Sequence, residues 1–186
     1  MPIGLEHSTA DLHLLRPLIV PAAYFASGAF PAPHRAMARS DLALTWVVLN
    51  APGAMVYLTP RVATEWEGQR IDWRARALEN LRAEDRGRVW THEKADASGR
   101  RRWVAMMHLD GLGSSRLLCT SELRAAFPEG YQVGLPDRSC ALAISTALSS
   151  AELAEVTALV EKSYSGATTP MHSGLFDPSG LVESAA

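Results

Sequence analysis

Short β-prone runs come in neighbouring pairs along this chain, and each pair is joined by a tight turn. Leu42–Asn50 (LALTWVVLN) and Ala54–Leu58 (AMVYL) flank Ala51-Pro52-Gly53. Arg88–Lys94 and Arg102–Leu109 flank a turn around Asp96–Gly99, and Tyr131–Leu135 and Ser139–Ser145 flank Pro136-Asp137-Arg138. Runs rich in Val, Ile, Trp and Tyr between Gly, Pro and Asp clusters read as strands. A connection of two to five residues joins only antiparallel neighbours, because parallel ones need a crossover of a dozen residues or more. The pattern therefore predicts an α+β fold, a mainly antiparallel sheet built from hairpins with helices packed on one face.

The helices are marked by their ends. Ser8 and Asp11 resemble a helix start, with Leu12, Leu15 and Ile19 spaced for one apolar face, and Pro17 and Pro21 cut that helix into short pieces. Residues 26–40 are Gly/Ala/Pro-rich without a period, which reads as a long loop. Thr59-Pro60 is an N-cap followed by proline at the first helical position, leading into Val62, Ala63 and Trp66, and Gly68 ends the helix. Asp72 caps Trp73–Ala83, whose apolar stripe is Trp73, Ala77, Leu78 and Leu81 with Asn80 at its edge. Ser114–Cys119 cannot be typed by period, and Thr120 or Ser121 caps a short helical piece that stops at Pro128. Ser149-x-x-Glu152 is a capping box opening Ser150–Tyr164, with Leu153, Val156, Leu159 and Val160 facing the core and Gly166 closing it. No linker or repeat divides the chain, so a single domain over 1–176 is expected, with 177–186 a frayed tail.

Composition removes several functions. With a net charge of −2 on 186 residues, no overall field draws the chain to nucleic acid or an anionic membrane. Arg86, Arg88, Arg100, Arg101 and Arg102 interleave with Trp90 and Trp103, but Glu84, Asp85, Glu93 and Asp96 dilute the patch, so nucleic acid is disfavoured as a partner. Two cysteines, Cys119 and Cys140, make neither a disulfide framework nor a zinc set. The apolar run over 14–25 is interrupted by two prolines and too short to span a bilayer, which leaves a cytoplasmic protein as the expectation. His7, His13, His34, His92, His108 and His172 are scattered, and the glycines form neither a dinucleotide nor a P-loop fingerprint; no metal and no cofactor is expected.

Several local motifs fall in a recognisable order. Tyr57-Leu58-Thr59-Pro60 precedes Ala77-Leu78-Glu79-Asn80-Leu81. Asp110-Gly111 with Ser114-Ser115-Arg116-Leu117-Leu118 follows, then Pro136-Asp137-Arg138 between apolar runs, and Gly174-Leu175-Phe176. In this order the chain resembles the YtpQ-like family of bacterial proteins, a domain of unknown function, from about Leu42 to Phe176. The resemblance implies a small mixed α/β fold in the bacterial cytoplasm and carries no established activity.

Candidate site residues follow from local chemistry. An Asp-Gly turn places Asp110 at a strand end, and Gly111 and Gly113 would let backbone approach a ligand closely. The paired hydroxyls of Ser114 and Ser115, with Arg138, could hold a carboxylate or phosphate through a guanidinium fork, making a small anionic ligand one candidate partner, and the neighbouring Asp137 belongs to the same candidate site. The same residues also read as turn and cap chemistry. Asn80 either locks a neighbouring loop or lines a pocket with Glu79. Trp66 and Trp73 bracket a short loop, where an exposed patch would mark a protein partner or a homodimer surface. The leading expectation is a non-catalytic binding or accessory protein acting through a groove or protein contact. The alternative is a small hydrolase or transferase using Asp110, Ser114 or Ser115 with Arg138 or His172, although Gly111–Ser115 is no G-x-S-x-G elbow.

Overall fold

Leu15–Pro21, where the spacing of Leu12, Leu15 and Ile19 suggested helix, is strand β1, preceded by a 3-10 turn over Thr9–Leu14. Six of its seven residues are buried, so the run has neither a 3.6 nor a 2.0 period, and spacing alone misleads. Its two prolines are tolerated because β1 pairs on one side only, and an edge strand can lack donors. The computed structural model describes residues 9–39, 41–50, 54–84 and 89–181. The expectations placed on His7, Ser8, Ser40, the Ala51-Pro52-Gly53 turn, Asp85, Arg86, Arg88 and residues 182–186 lie outside them. The chain divides into two compact units, one drawn from 1–36 and 40–87, the other from 37–39 and 88–186. Each is built on an antiparallel sheet with helices, so the α+β class holds.

In the first unit a four-residue helix, α1 (Ala23–Ala26), leads into the expected loop, which itself contains a short strand, β2 (His34–Ala36). The hairpin forms as read, from β3 (Leu42–Asn50) and β4 (Ala54–Tyr57). β3 is the central strand; β1 runs along one edge, while β2 and β4 share the other. Helix α2 (Pro60–Gly68) starts at Thr59, whose hydroxyl accepts from Val62 N at 3.4 Å. Beyond Gly68 the turn is completed by Arg70 at φ 59°, in the left-handed region, while Ile71 N donates to Trp66 O. Asp72 caps α3 (Trp73–Glu84) by accepting from Ala75 N at 3.1 Å. Trp66 and Trp73 are fully buried, and Trp73 meets Trp46 edge-on at 4.8 Å. They therefore serve the core of the unit and form no exposed patch.

The second unit carries the candidate chemistry. The turn after β5 (His92–Ala95) is closed by the Asp96 carboxylate, which accepts from Ser98 N and Arg100 N before β6 (Arg101–Met107) begins. A 3-10 turn over Ser114–Leu118 leads into α4 (Thr120–Ala126). Cys119 holds the N-cap position of α4 and makes no side-chain capping bond, so neither Thr120 nor Ser121 caps it. β7 (Tyr131–Asp137) and β8 (Cys140–Ser145) form the third hairpin, and α5 (Ser150–Ser165) starts at the capping box of Ser149 and Glu152. β9 (Leu175–Phe176) completes a sheet of order β5-β6-β8-β7-β9. Strand alternation sends Ala105, Leu142 and Ile144 against Val156 and Val160 of α5. Leu159, one residue short of Val160, falls outside that contact and is 45% exposed, unlike its expected core position. The segment expected to fray contains a 3-10 turn, Pro178–Leu181, with Leu181 buried.

Candidate functional site

Asp110 ends the chain's exit from β6. Gly111 follows at φ 71°, a left-handed position that suits glycine, and its N–H donates to His108 O at 3.2 Å. The turn aims the Asp110 carboxylate back at Arg116, which sequence reasoning had passed over because it sits inside an apolar run. Arg116 NH1 donates to Oδ1 at 3.1 Å and NH2 to Oδ2 at 2.8 Å, while Leu112 N donates to Oδ1 at 2.9 Å. Arg116 is 1% exposed and the Asp110 side chain 18%. Both carboxylate oxygens are thus engaged inside the protein.

Gly113 is required by space. A methyl group there would fall on the carbonyl oxygens of Ser139 and Met106. The close approach expected for a ligand is made instead by the protein's own backbone, from the end of β6 and the β7–β8 turn. Ser114 N then donates to Arg138 O at 3.0 Å, tying the 3-10 turn to that same β-turn. Ser114 and Ser115 are both fully buried, and the Ser114 hydroxyl has no hydrogen-bond partner among the described residues.

Asp137 plays the matching part on the other strand. Its Oδ1 accepts from Ser139 N at 2.8 Å and Ser139 Oγ at 2.6 Å, and Oδ2 accepts from Thr169 N at 2.9 Å. Burial pushes its carboxyl upward, but the bonds from Ser139 and Thr169 outweigh it and hold the group below its ordinary value. Arg138 N donates to Thr169 O at 3.1 Å. Asp110, Ser114, Asp137 and Arg138 do come together, but around internal backbone. Asn80 is elsewhere, in the first unit, donating to Leu12 O at 2.8 Å and Leu15 O at 3.1 Å, which fastens the entry to β1 onto α3.

The histidines are dispersed. His108 Nε2 meets Val89 O at 3.1 Å, and His172 Nδ1 meets Arg39 at 3.2 Å, where the Arg39 guanidinium also lies 4.6 Å over the Phe176 ring. Among the described residues no three His, Cys, Asp or Glu side chains group as metal ligands would. Cys119 is buried and Cys140 half-buried, and burial, then the charge of Asp137, pushes the Cys140 thiol up. In the Arg-rich hairpin, Arg101 pairs with Glu93 at 2.8 Å, and Arg102 forks onto Glu152, with Nε at 3.1 Å from Oε1.

Among the clefts of the second unit, two combine apolar walls with charged margins, and neither is visible in the sequence. One, of about 210 Å³, runs beside α5, where Trp103, Leu148, Val156 and Leu159 form its apolar wall. Lys94 and Glu155 stand at its margins, both exposed and in no ion pair among the described residues, whereas Arg102 and Glu152 neutralise each other. The second, of about 410 Å³, is lined by Arg124, Phe127, Pro128, Tyr131, Thr146 and Asp177, with Gly130 and Pro178. No helix among the described residues is long and apolar enough to cross a membrane. Comparison with protein-family models, curated proteins and solved structures finds no match.

Proposed function

We propose that the chain is a non-catalytic binding or accessory protein that receives a protein partner in the groove beside α5. The observation that carries this reading is a contrast within one unit. The carboxylates of Asp110 and Asp137 are consumed by internal bonds, whereas Trp103, Leu148 and Leu159 leave an apolar floor between an unpaired cation and an unpaired anion. A partner segment with an apolar side chain, a carboxylate for Lys94 and a basic group for Glu155 matches that floor and its margins. The edge of β5 is a poorer docking point, since Glu93, Lys94 and the register shift at Lys94/Ala95 blunt it against strand addition. The hydrolase reading with Asp110, Ser114 or Ser115 draws no comparable support: the Ser114 hydroxyl is sealed from solvent and accepts or donates no bond among the described residues.

Kinship with the YtpQ-like family, bacterial origin and a cytoplasmic location belong to the same proposal. They are supported by the order of motifs from Tyr57 to Phe176 and by two cysteines that form no disulfide among the described residues. A photo-crosslinking residue placed at Leu159 and, as control, at the exposed Glu161 tests the groove in cells. Capture at 159 that is absent at 161 and is abolished by Lys94→Glu supports the proposal. Equal capture at both positions, or none at 159, overturns it.

A further inference from the structure

The second cleft carries an open phenol. Tyr131 opens β7 and is 6% exposed, with its ring packed 5.9 Å from Phe127, and its hydroxyl forms no hydrogen bond among the described residues. The ring is buried but the hydroxyl itself reaches solvent, as the polar tip of a buried tyrosine commonly does. The side chain lines the cleft, so this donor is offered to whatever displaces the water there.

The groups around it are sorted by charge. Arg124, in the last turn of α4, is exposed and in no ion pair among the described residues. Asp177 accepts from Ser179 N at 2.8 Å on Oδ1, and the Ser179 hydroxyl and backbone hold its carboxyl below the ordinary value, so an exposed charged carboxylate stands at the cleft. Both charges reach Tyr131: burial raises its pKa most, Arg124 lowers it and Asp177 raises it. Thr146 is already committed, donating to Glu129 O and Gly130 O, and so shapes the wall. Phe127, Pro128 and Pro178 supply apolar surface.

We infer that this cleft binds a small zwitterion of the α-amino-acid type. Its carboxylate is received by the Tyr131 hydroxyl and the Arg124 guanidinium, its ammonium group by Asp177, and its side chain by the Phe127–Pro128–Pro178 wall. A bare anion is a poorer ligand, because the Asp177 carboxylate repels it, and a bare cation meets Arg124 in the same way. The volume falls in the range of small-molecule sites. This goes beyond the partner groove beside α5 and stands or falls separately from it.

Leucine, N-acetyl-leucine and leucinamide separate the requirements, with binding followed by amide chemical-shift titration of the full chain. Leucine should bind at least about tenfold more tightly than either derivative, since each lacks one charge-assisted contact. Tyr131→Phe should weaken leucine binding by about tenfold and leave the melting temperature unchanged, because the hydroxyl supports nothing inside the fold. Arg124→Met should weaken leucine and leave leucinamide unaffected. The inference is overturned if leucine gives no saturable shifts at the cleft, if the three compounds bind alike, or if Tyr131→Phe binds leucine as the parent does. A fall in melting temperature for Tyr131→Phe would also overturn it, by showing that the hydroxyl is structural.

Discussion

Asp110→Ala tests the reading of the Asp110–Arg116 pair as a clasp inside the fold. The substitution takes two charge-assisted bonds from a guanidinium that is 1% exposed and the acceptor from Leu112 N–H. Removing one partner of a buried ion pair costs about 3–5 kcal/mol, and the partial exposure of the pair at Asp110 favours the lower end. The lost Leu112 bond adds about 1 kcal/mol, for a total near ~4 kcal/mol. Arg116→Met should be milder, about 1–3 kcal/mol, because the carboxylate can turn to solvent and the methionine fills most of the vacated space. The double variant should then cost less than the two single losses added together, since both single changes remove the same ion pair. Urea unfolding followed by circular dichroism reads all three. With a slope of about 1–3 kcal/mol per molar urea, the Asp110→Ala midpoint should fall by about 2 M. An unchanged midpoint, or strict additivity of the pair, would refute the reasoning and return Asp110 to the list of free functional groups.

Three further outcomes follow from the same geometry. Gly113→Ala should be severely destabilising, by about 3 kcal/mol or more, because a methyl placed on two carbonyl oxygens forces backbone apart rather than a side chain; loss of soluble, cooperatively folding protein is the readout. Asn80→Ala should lower stability by about 1–2 kcal/mol through the Leu12 and Leu15 carbonyls, and faster hydrogen exchange confined to β1 would locate the loss. Glu152 is held down to about 2 from the ordinary 4.5 by the Ser149 hydroxyl and backbone and then by Arg102. A carboxyl depressed in the folded state stabilises above its unfolded value, so this contribution should be complete above pH 4.5 and disappear between 4.5 and about 2. In Glu152→Gln, melting temperature should lose that part of its acid dependence, and an unaltered pH profile would contradict the assignment.

Features decided within one turn or one hairpin were legible before any coordinates. The three hairpins, the caps at Thr59, Asp72 and Ser149, and the Asp110-Gly111 turn depend on neighbours at most a few residues apart, so local chemistry suffices to read them. Asn80 was recognised as an edge amide by the same logic. β1 was misread because apolar residues buried on both faces carry no period, and the proline test for helix does not exclude an edge strand. Arg116 went unnoticed because its meaning is its distance to Asp110, which the 3-10 turn sets. Gly113 looked like room for a ligand, and only the return of the β7–β8 turn showed that backbone fills the room. The Leu159 rim and the open Tyr131 hydroxyl were beyond reach for a related reason. Composition and periodicity determined that this chain folds as antiparallel sheet with helices and where its turns fall; which polar groups close on one another and which stay open is a property of contacts between residues far apart in sequence, and the tertiary structure alone decided it.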